Sequence, residues 1–191
     1  MALGFVRPAR PGDATELARI QLETWRVAYR KLVPREILAA LDPDTLAAHW
    51  RTAVLEPPGP RFRVLVAVEQ GAEEHTVGFA AIGPADADDK VPDAGAFTEL
   101  LVEPRWGRRG HGSRLLSAAT AHWRDDGFST ALAWAFDQAP ATINFLTSAG
   151  WEPDGARRAL DMADVLVPQV RLHVSLTEDV SRPASDEAAG G

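Results

Sequence analysis

The chain of 191 residues contains no cysteine, which excludes disulfides, thiolate metal ligands and a cysteine nucleophile. The lack of cysteine fits a reducing compartment, and the first ten residues, MALGFVRPAR, lack the apolar core of a signal peptide. We therefore expect a cytoplasmic protein. No apolar run approaches the roughly 20 residues that a membrane-spanning helix needs, so we expect no membrane partner.

Basic residues are also in deficit, since 20 lysines and arginines face 27 aspartates and glutamates, for a net charge of -7. This balance argues against a broad basic face, and we expect no nucleic-acid partner. The five histidines show none of the spacings that are typical of a zinc site, so we expect no metal. A small anionic ligand held by a local basic site remains compatible with these totals.

The periodicity of apolar residues predicts a mixed α/β domain over residues 1–180, with a single central sheet flanked by helices. The predicted order is a strand, three helices, three strands, a helix, a strand, a helix and two strands. Asp13 and Glu16 are expected to form a capping box on the first helix, and Asp42 to cap the third. The polar tail at 181–191 is predicted to be disordered.

One stretch, WGRRGHGSRLL at residues 106–116, places glycines and arginines at a predicted helix start. Unpaired N–H groups and about half a positive charge make a helix start a good phosphate site. Glycines at 110 and 112 would let the backbone approach an anion closely. The third glycine of a dinucleotide fingerprint and the lysine of a Walker loop are both missing. Alone, the stretch fits a phosphate site and a plain turn about equally.

In its wider context, FTELLVEPRWGRRGHGSRLL resembles the acetyl-CoA loop of the GNAT N-acetyltransferase superfamily. That family has a strand ending in Val-x-Pro, then Gln/Arg-x-x-Gly-x-Gly/Ala at a helix start. FVRPARPGDATELARI resembles the family's first strand and helix, and FLTSAGW resembles the end of its late helix. The resemblance covers residues 4–177. It implies the GNAT fold, acetyl-CoA as co-substrate, and a small-molecule or peptide amine as acceptor.

The resemblance also implies which residues bind acetyl-CoA. The helix start would hold the pyrophosphate, and strand N–H groups would polarise the thioester carbonyl. The residues concerned are Leu101, Val102, Arg108, Arg109, Gly110, His111, Gly112, Ser113 and Phe145. Arg108 is given the role of the family's Gln/Arg, whose own position falls on Gly107. His111 is expected to contribute only its backbone N–H.

An amine acceptor must lose a proton, and two carboxylates near the loop could accept it. Glu99 lies on the predicted strand and is our candidate catalytic base, although a solvent-facing role fits it equally well. Glu103 lies at the strand exit, where an ion pair with Arg105 or Arg108 is the alternative to a base, and water could also serve. The family's proton-donating tyrosine falls on Leu146, so no general acid is assigned.

Three aromatic residues are candidates for the acceptor site. Trp25 and Tyr29 lie four residues apart and share a helix face, which the resemblance places on one wall of the acceptor cleft. Trp134 would line the cleft from the sheet. Core packing is the alternative for both tryptophans. The acidic loop at 84–95 is expected to be solvated, although it could attract a cationic acceptor.

We therefore predict an acetyl-CoA-dependent N-acetyltransferase. A catalytically silent acyl-CoA-binding module of the same fold is the main alternative, since the tyrosine is missing. A nucleotide-binding protein that uses the same loop is a second alternative. Sheet edges near the C-terminus would allow a homodimer.

Overall fold

The computed structural model of the chain describes residues 3–177. In this part of the chain, strands β1 (Leu3–Pro8), β2 (Arg63–Gln70), β3 (Glu74–Pro84), β4 (Ala94–Val102), β5 (Thr130–Phe136), β6 (Glu152–Met162) and β7 (Val165–Ser175) form one sheet. The helices are α1 (Ala14–Ala28), α2 (Arg35–Ala40), α3 (Pro43–Leu55), α4 (His111–Asp125) and α5 (Pro140–Ser148). The predicted element order and the mixed α/β fold with a single sheet are confirmed. The tail at 181–191 lies outside the described residues.

The sheet has the order β1-β2-β3-β4-β5-β7-β6, and its neighbouring strands are antiparallel except for β4 and β5. These two run parallel and pair only from Ala94 to Ala96 on β4, so they separate beyond that point. A bulge in β4 adds to the divergence, because Phe97 and Glu99 pair with consecutive residues of β3 while Thr98 is left over. The second half of β4 therefore exposes one backbone edge to an opening in the middle of the sheet.

Helices cover both faces of the sheet, and the alternation along β2 shows how. Val64, Val66 and Val68 pack toward α1 and α3, whereas Leu65 and Ala67 pack toward α4. A strand that is buried on both faces reads as a continuous apolar run in the sequence. No helix among residues 3–177 is long and apolar enough to cross a membrane.

The predicted cap of α3 is confirmed, but that of α1 is wrong. The Asp42 side chain accepts a hydrogen bond from the backbone N–H of Thr45 at 2.7 Å. The Asp13 side chain instead binds the guanidinium of Arg7 at 2.7 Å and accepts from the backbone N–H of Arg10 at 2.6 Å. Asp13 thus caps the short 3-10 turn that precedes α1, because an arginine on β1 competes for its carboxylate.

Candidate active site

A cleft of about 590 Å³ lies where β4 and β5 separate. The cleft brings together residues that are far apart in the sequence. Five of the predicted site residues line it, namely Trp25, Tyr29, Glu99, Leu101 and Trp134. Leu146, which the sequence resemblance aligns with the family's tyrosine, lines it as well. The predicted phosphate loop does not line this cleft and lies beyond the end of β4, at the start of α4.

The backbone of β4 shows which N–H groups face the opening. The N–H of Glu103 donates to the carbonyl oxygen of Val77 at 2.9 Å, which directs it toward β3. Because N–H groups alternate along a strand, that of Leu101 also points to β3, whereas those of Leu100 and Val102 point into the opening. The predicted pair of Leu101 and Val102 is therefore wrong for Leu101, since consecutive residues cannot present their N–H groups to the same side.

Glu99 lies on the wall of the cleft, half-buried beside α1. Its carboxylate accepts a hydrogen bond from Nε2 of Gln21 at 3.2 Å, and Oε1 of Gln21 accepts from Nε1 of Trp50 at 2.8 Å. Burial raises the pKa of Glu99 to about 7, although the hydrogen bond from Gln21 acts in the opposite direction. A carboxyl group with such a pKa can take up and release a proton at neutral pH.

Glu103 has a different environment, although it lies only four residues further along the chain. Its side chain is 3% exposed and binds Nη2 of Arg19 at 3.0 Å and the guanidinium of Arg105. The ion pair with Arg105 was one of the predicted alternatives, whereas Arg19 was not foreseen. Both carboxylate oxygens of Glu103 are thus engaged by arginines, so Glu103 is a poorer candidate than Glu99 for accepting a proton.

An aromatic wall joins α1 to the end of β5. The ring of Tyr29 packs edge-on against Trp25 and Phe136, with centroid distances of 5.9 Å and 5.0 Å. Burial raises the pKa of Tyr29, and its hydroxyl lies next to Thr142 on α5. These side chains pack against one another and line the cleft at the same time. Trp25 can therefore be part of the core and also form a wall of the acceptor cleft.

The acidic loop is not simply solvated, as the sequence had suggested. Asp89 has a side chain that is 8% exposed, accepts from Nε1 of Trp134 at 2.9 Å and pairs with Arg171 at 3.6 Å. Arg171 also binds Asp154 at 2.7 Å. The loop is thereby fixed to the sheet, and the carboxylate of Asp89 is already bound by protein groups. The reason is tertiary, because Arg171 lies on β7, far away in the sequence.

The start of α4 presents free N–H groups. Gly110 precedes the helix with φ of 82°, and the N–H of Arg114 donates to the carbonyl oxygen of Gly110 at 3.0 Å. The N–H groups of His111, Gly112 and Ser113 come before this first helical bond and have no partner within the helix. Together with the positive end of the helix dipole, they form a site that fits a phosphate group.

Two arginines flank this helix start. Arg108 is exposed and has a φ of 61°, in the left-handed region. Arg109 is exposed as well, with its guanidinium 4.8 Å from the ring centre of Trp106 and 3.9 Å from Glu69. Both side chains can therefore add positive charge at the helix start.

At His111 and Gly112 the direction of the side chain points into the protein interior. The His111 imidazole is fully buried, with Nε2 at 3.1 Å from the Glu69 carboxylate, and this burial lowers the pKa of His111. A β-carbon on Gly112 would lie 3.2 Å from Cζ of Phe145 and 3.8 Å from Cγ2 of Val102. Gly112 thus allows α4 to approach α5 and β4 closely. Only the backbone of these two residues faces the proposed phosphate position.

No group of three or more potential metal ligands occurs among the described residues. Two other acidic side chains of the cleft are engaged by protein groups. Asp89 pairs with Arg171, and Asp86 accepts from the backbone N–H of Asp88 at 2.9 Å.

Comparison with known proteins gives the class of this fold and cleft. A family model described as an acetyltransferase (GNAT) domain matches residues 60–153, which run from before β2 to the start of β6. YuaI of Bacillus subtilis (strain 168), described as an uncharacterized N-acetyltransferase, is 27% identical over 138 residues, which cover 72% of this chain and 75% of the relative.

Solved structures agree on the fold. The structure of yncA from Salmonella typhimurium with its cofactor acetyl-CoA has a TM-score of 0.67 at 20% identity, covering 95% of this chain and 98% of that one. The PaiA N-acetyltransferase from Thermoplasma acidophilum, in complex with coenzyme A, has a TM-score of 0.67 at 13% identity, covering 91% and 99%. The fold of this chain is therefore the fold of these acetyltransferase structures. Residues 60–153 of the chain thus match the GNAT acetyltransferase domain, and 72% of the chain is similar to an N-acetyltransferase.

Proposed function

We propose that this protein moves an acetyl group from acetyl-CoA to an amine-bearing acceptor by direct attack of the amine on the thioester. The observation that carries the proposal is the pairing of two features in one GNAT domain. A cleft between diverging strands holds a carboxyl group with a pKa of about 7, and a helix start with free N–H groups follows the end of β4.

The residues present fit acetyl-CoA. The backbone N–H groups of residues 111–113 would hold the pyrophosphate, with Arg108 and Arg109 adding charge and Gly110 setting the turn. Phe145 would support this site by packing against Gly112. When bound, acetyl-CoA supplies the activated thioester.

In the proposed reaction, Glu99 accepts the proton that the attacking ammonium must lose. An ordinary alkylammonium has a pKa of about 10.4, so little free amine exists at neutral pH without a base. The N–H groups of Leu100 and Val102 would donate to the carbonyl oxygen, where negative charge develops. A C–N bond forms and the C–S bond breaks, the new amide nitrogen releases its second proton to water, and the thiolate can leave without an acid because a thiol pKa is near 8.5.

The acceptor cleft is formed by side chains of α1 and of the sheet. Trp25 and Tyr29 would bound it on the α1 side, and Trp134 on the β5 side. A catalytically silent acyl-CoA-binding module would not need a titrating carboxyl group in this cleft, and no observation favours it. The same holds for a nucleotide-binding protein.

The test is the release of CoA thiol from acetyl-CoA over a panel of small amines and peptides. Acetyl transfer to at least one class of amine is expected, together with displacement of bound CoA by acetyl-CoA but not by ATP. Tight CoA binding without transfer to any amine would favour the silent module. Displacement by ATP at similar concentrations would favour a nucleotide-binding protein.

We also propose a homodimer that uses the C-terminal edge of the sheet. Strand β6 lies at that edge, and the turn into β7 exposes Val165 and Leu166 by 47% and 67% of their surface. Sedimentation equilibrium should show a dimer that Leu166→Lys weakens. A monomer at high protein concentration would contradict this.

The cytoplasmic location stays a prediction from the lack of cysteine.

A further inference from the structure

Arg158, on β6, is a cleft-lining residue for which the proposed reaction has no use. Its guanidinium lies over the indole of Trp134, with Cζ 4.3 Å from the ring centre. Its Nε donates to Oε1 of Gln169 at 2.7 Å. Gln169 is itself 6% exposed, so its amide is fixed in the protein. One face and one edge of the guanidinium are therefore held in place.

The other edge of this guanidinium has no partner within the part of the chain that the structure describes. Arg158 makes no ion pair there, and its only hydrogen bond uses Nε. Its neighbours differ, since Arg171 binds Asp154 at 2.7 Å and Arg157 binds Asp137 at 3.1 Å.

The acids nearest to Arg158 are already bound elsewhere. Asp89 accepts from Trp134, and Asp86 accepts from the N–H of Asp88. Burial lowers the pKa of Arg158, and the charges of Asp89 and Asp86 restore it only in part. Arginine stays charged at such a position, and this exposed guanidinium is solvated by water where no carboxylate pairs with it.

An arginine that is stacked on one face and hydrogen-bonded through Nε presents two parallel N–H donors along its free edge. That fork matches the two oxygens of a carboxylate. Glu99 lines the same cleft of about 590 Å³ and carries the opposite charge. An acceptor with a lone amine would leave Arg158 unmatched, and an acceptor with several amines would place positive charge against it.

We propose that the acceptor is a small amine that also carries a carboxylate, in the manner of an amino acid, and that Arg158 binds this carboxylate while the amine faces Glu99. This inference rests on the proposed acetyl transfer, and it names the acceptor class. Arg158 determines specificity in this scheme and takes no part in the chemical step.

The test compares free amino acids with their carboxamides, which keep the amine and lose the charge of the carboxylate. The wild type is compared with Arg158→Gln and with Arg158→Lys, and Arg157→Gln serves as the matched control from the same strand. The ratio of kcat/KM for acid over amide is compared between variants, because differences in amine basicity cancel in that comparison. CoA affinity and thermal unfolding are measured in parallel.

We expect Arg158→Gln to lower kcat/KM for the amino acids at least tenfold, mainly through KM, and to leave the carboxamides unchanged. A charged hydrogen-bond pair of this kind accounts for such a factor. Arg158→Lys should keep part of the preference, and Arg157→Gln all of it. CoA affinity should be the same in all four proteins. If Arg158→Gln does not fold, the lysine variant provides the same comparison with a smaller expected loss.

Three outcomes would overturn the inference. These are an equal loss for acids and amides, no loss for either, and a wild-type preference for peptides over free amino acids. If no amine is acetylated, the proposed function fails, and calorimetry of amino acids with the CoA-bound protein decides separately on Arg158. Binding that Arg158→Gln removes would support a carboxylate site, and absence of binding would overturn it.

Discussion

The two ends of this site bind through different parts of the chain. At the start of α4 the groups that face the ligand position are backbone N–H groups, while the side chain of His111 is turned inward. At the acceptor end the groups are side chains, with Glu99 and Arg158 contributed by different strands. Substitutions at the first end should therefore act through backbone geometry. At the second end they should act through charge and proton transfer.

The largest effect is expected for Glu99→Gln, which keeps the shape of the side chain and removes its basicity. General bases typically contribute about 100- to 10,000-fold, and we expect kcat/KM at pH 7 to fall at least tenfold. Since burial raises the pKa of Glu99 to about 7, kcat/KM of the wild type should rise with pH through that value. Above that value the wild type should level off, whereas the rate of the variant should keep rising with the fraction of free amine.

Rate measurements from pH 5 to 10 test this, with CoA affinity as the control. The deficit of the variant should shrink as pH approaches the pKa of the amine, where a base is no longer needed. A small, uniform deficit at every pH would assign Glu99 a positioning role. An unchanged rate would leave water as the proton acceptor.

The backbone end can be tested with a matched pair of glycines on α4. Gly110 and Gly127 flank opposite ends of the helix with φ values of 82° and 81°. Alanine at either position costs about 1–2 kcal/mol in this conformation, so both variants should lose similar thermal stability. Only Gly110→Ala should also weaken CoA binding, by roughly tenfold, the factor that about 1.4 kcal/mol gives.

Calorimetric titration of CoA into both variants provides the measurement. The expected loss arises because the strained loop relaxes away from the conformation that presents its N–H groups, and binding must restore that conformation. Equal CoA affinity of the two variants would mean that the pyrophosphate does not bind at this helix start.

The contrast between the backbone end and the side-chain end of the site also explains which features could be predicted from the sequence. The glycine loop and the Asp42 cap depend on residues a few positions apart, so their local pattern was sufficient. The Asp13 cap was wrong because Arg7 takes the carboxylate, and Leu101 was wrong because the direction of an N–H group depends on pairing with β3.

The acceptor end was the hardest part to predict. The bond between Gln21 and Glu99 joins residues 78 positions apart, and the contact between Arg171 and the backbone carbonyl of Asp89 spans 82. Arg158 and Gln169 face each other only once the register of β6 and β7 is known. A single sequence does not specify such pairings, and it does not show which of the adjacent Arg157 and Arg158 faces the cleft.

The substitution Glu99→Gln should also change thermal stability, with a smaller effect than those expected for the rate and for CoA binding. Burial raises the folded-state pKa of Glu99 from 4.5 to about 7, so ionising this group costs free energy in the folded state. Below pH 4.5 the carboxyl group is protonated in both states and the cost is absent. It grows from pH 4.5 to 7 and is constant above. Glu99→Gln should therefore match the wild type near pH 4 and unfold at a higher temperature at pH 8.

Thermal unfolding from pH 4 to 8 measures this difference, with Glu56→Gln at the exposed end of α3 as the control for loss of a charge. The control should show no comparable pH dependence. A Glu99→Gln variant that is less stable than the wild type at pH 8 would show that the carboxylate is well solvated or paired, and would weaken its assignment as the base.

The smallest effect is expected for Tyr29→Phe, which addresses the proton donor. Tyr29 is the only tyrosine in the chain, and it lines the same cleft as Leu146, which the sequence resemblance aligns with the family's acid. Its ring packs against Trp25 and Phe136, and phenylalanine keeps those contacts. If the thiolate leaves without an acid, kcat should fall no more than roughly threefold, far below the roughly 100-fold that loss of a general acid costs.

Single-turnover rates for Tyr29→Phe separate the two possibilities, because product release does not limit them. Acetyl donors whose leaving thiols differ in pKa sharpen the comparison. Direct departure of the thiolate predicts that both proteins depend equally on the thiol pKa. A loss in the variant that grows with the thiol pKa would identify the Tyr29 hydroxyl as the acid, contributed by the end of α1.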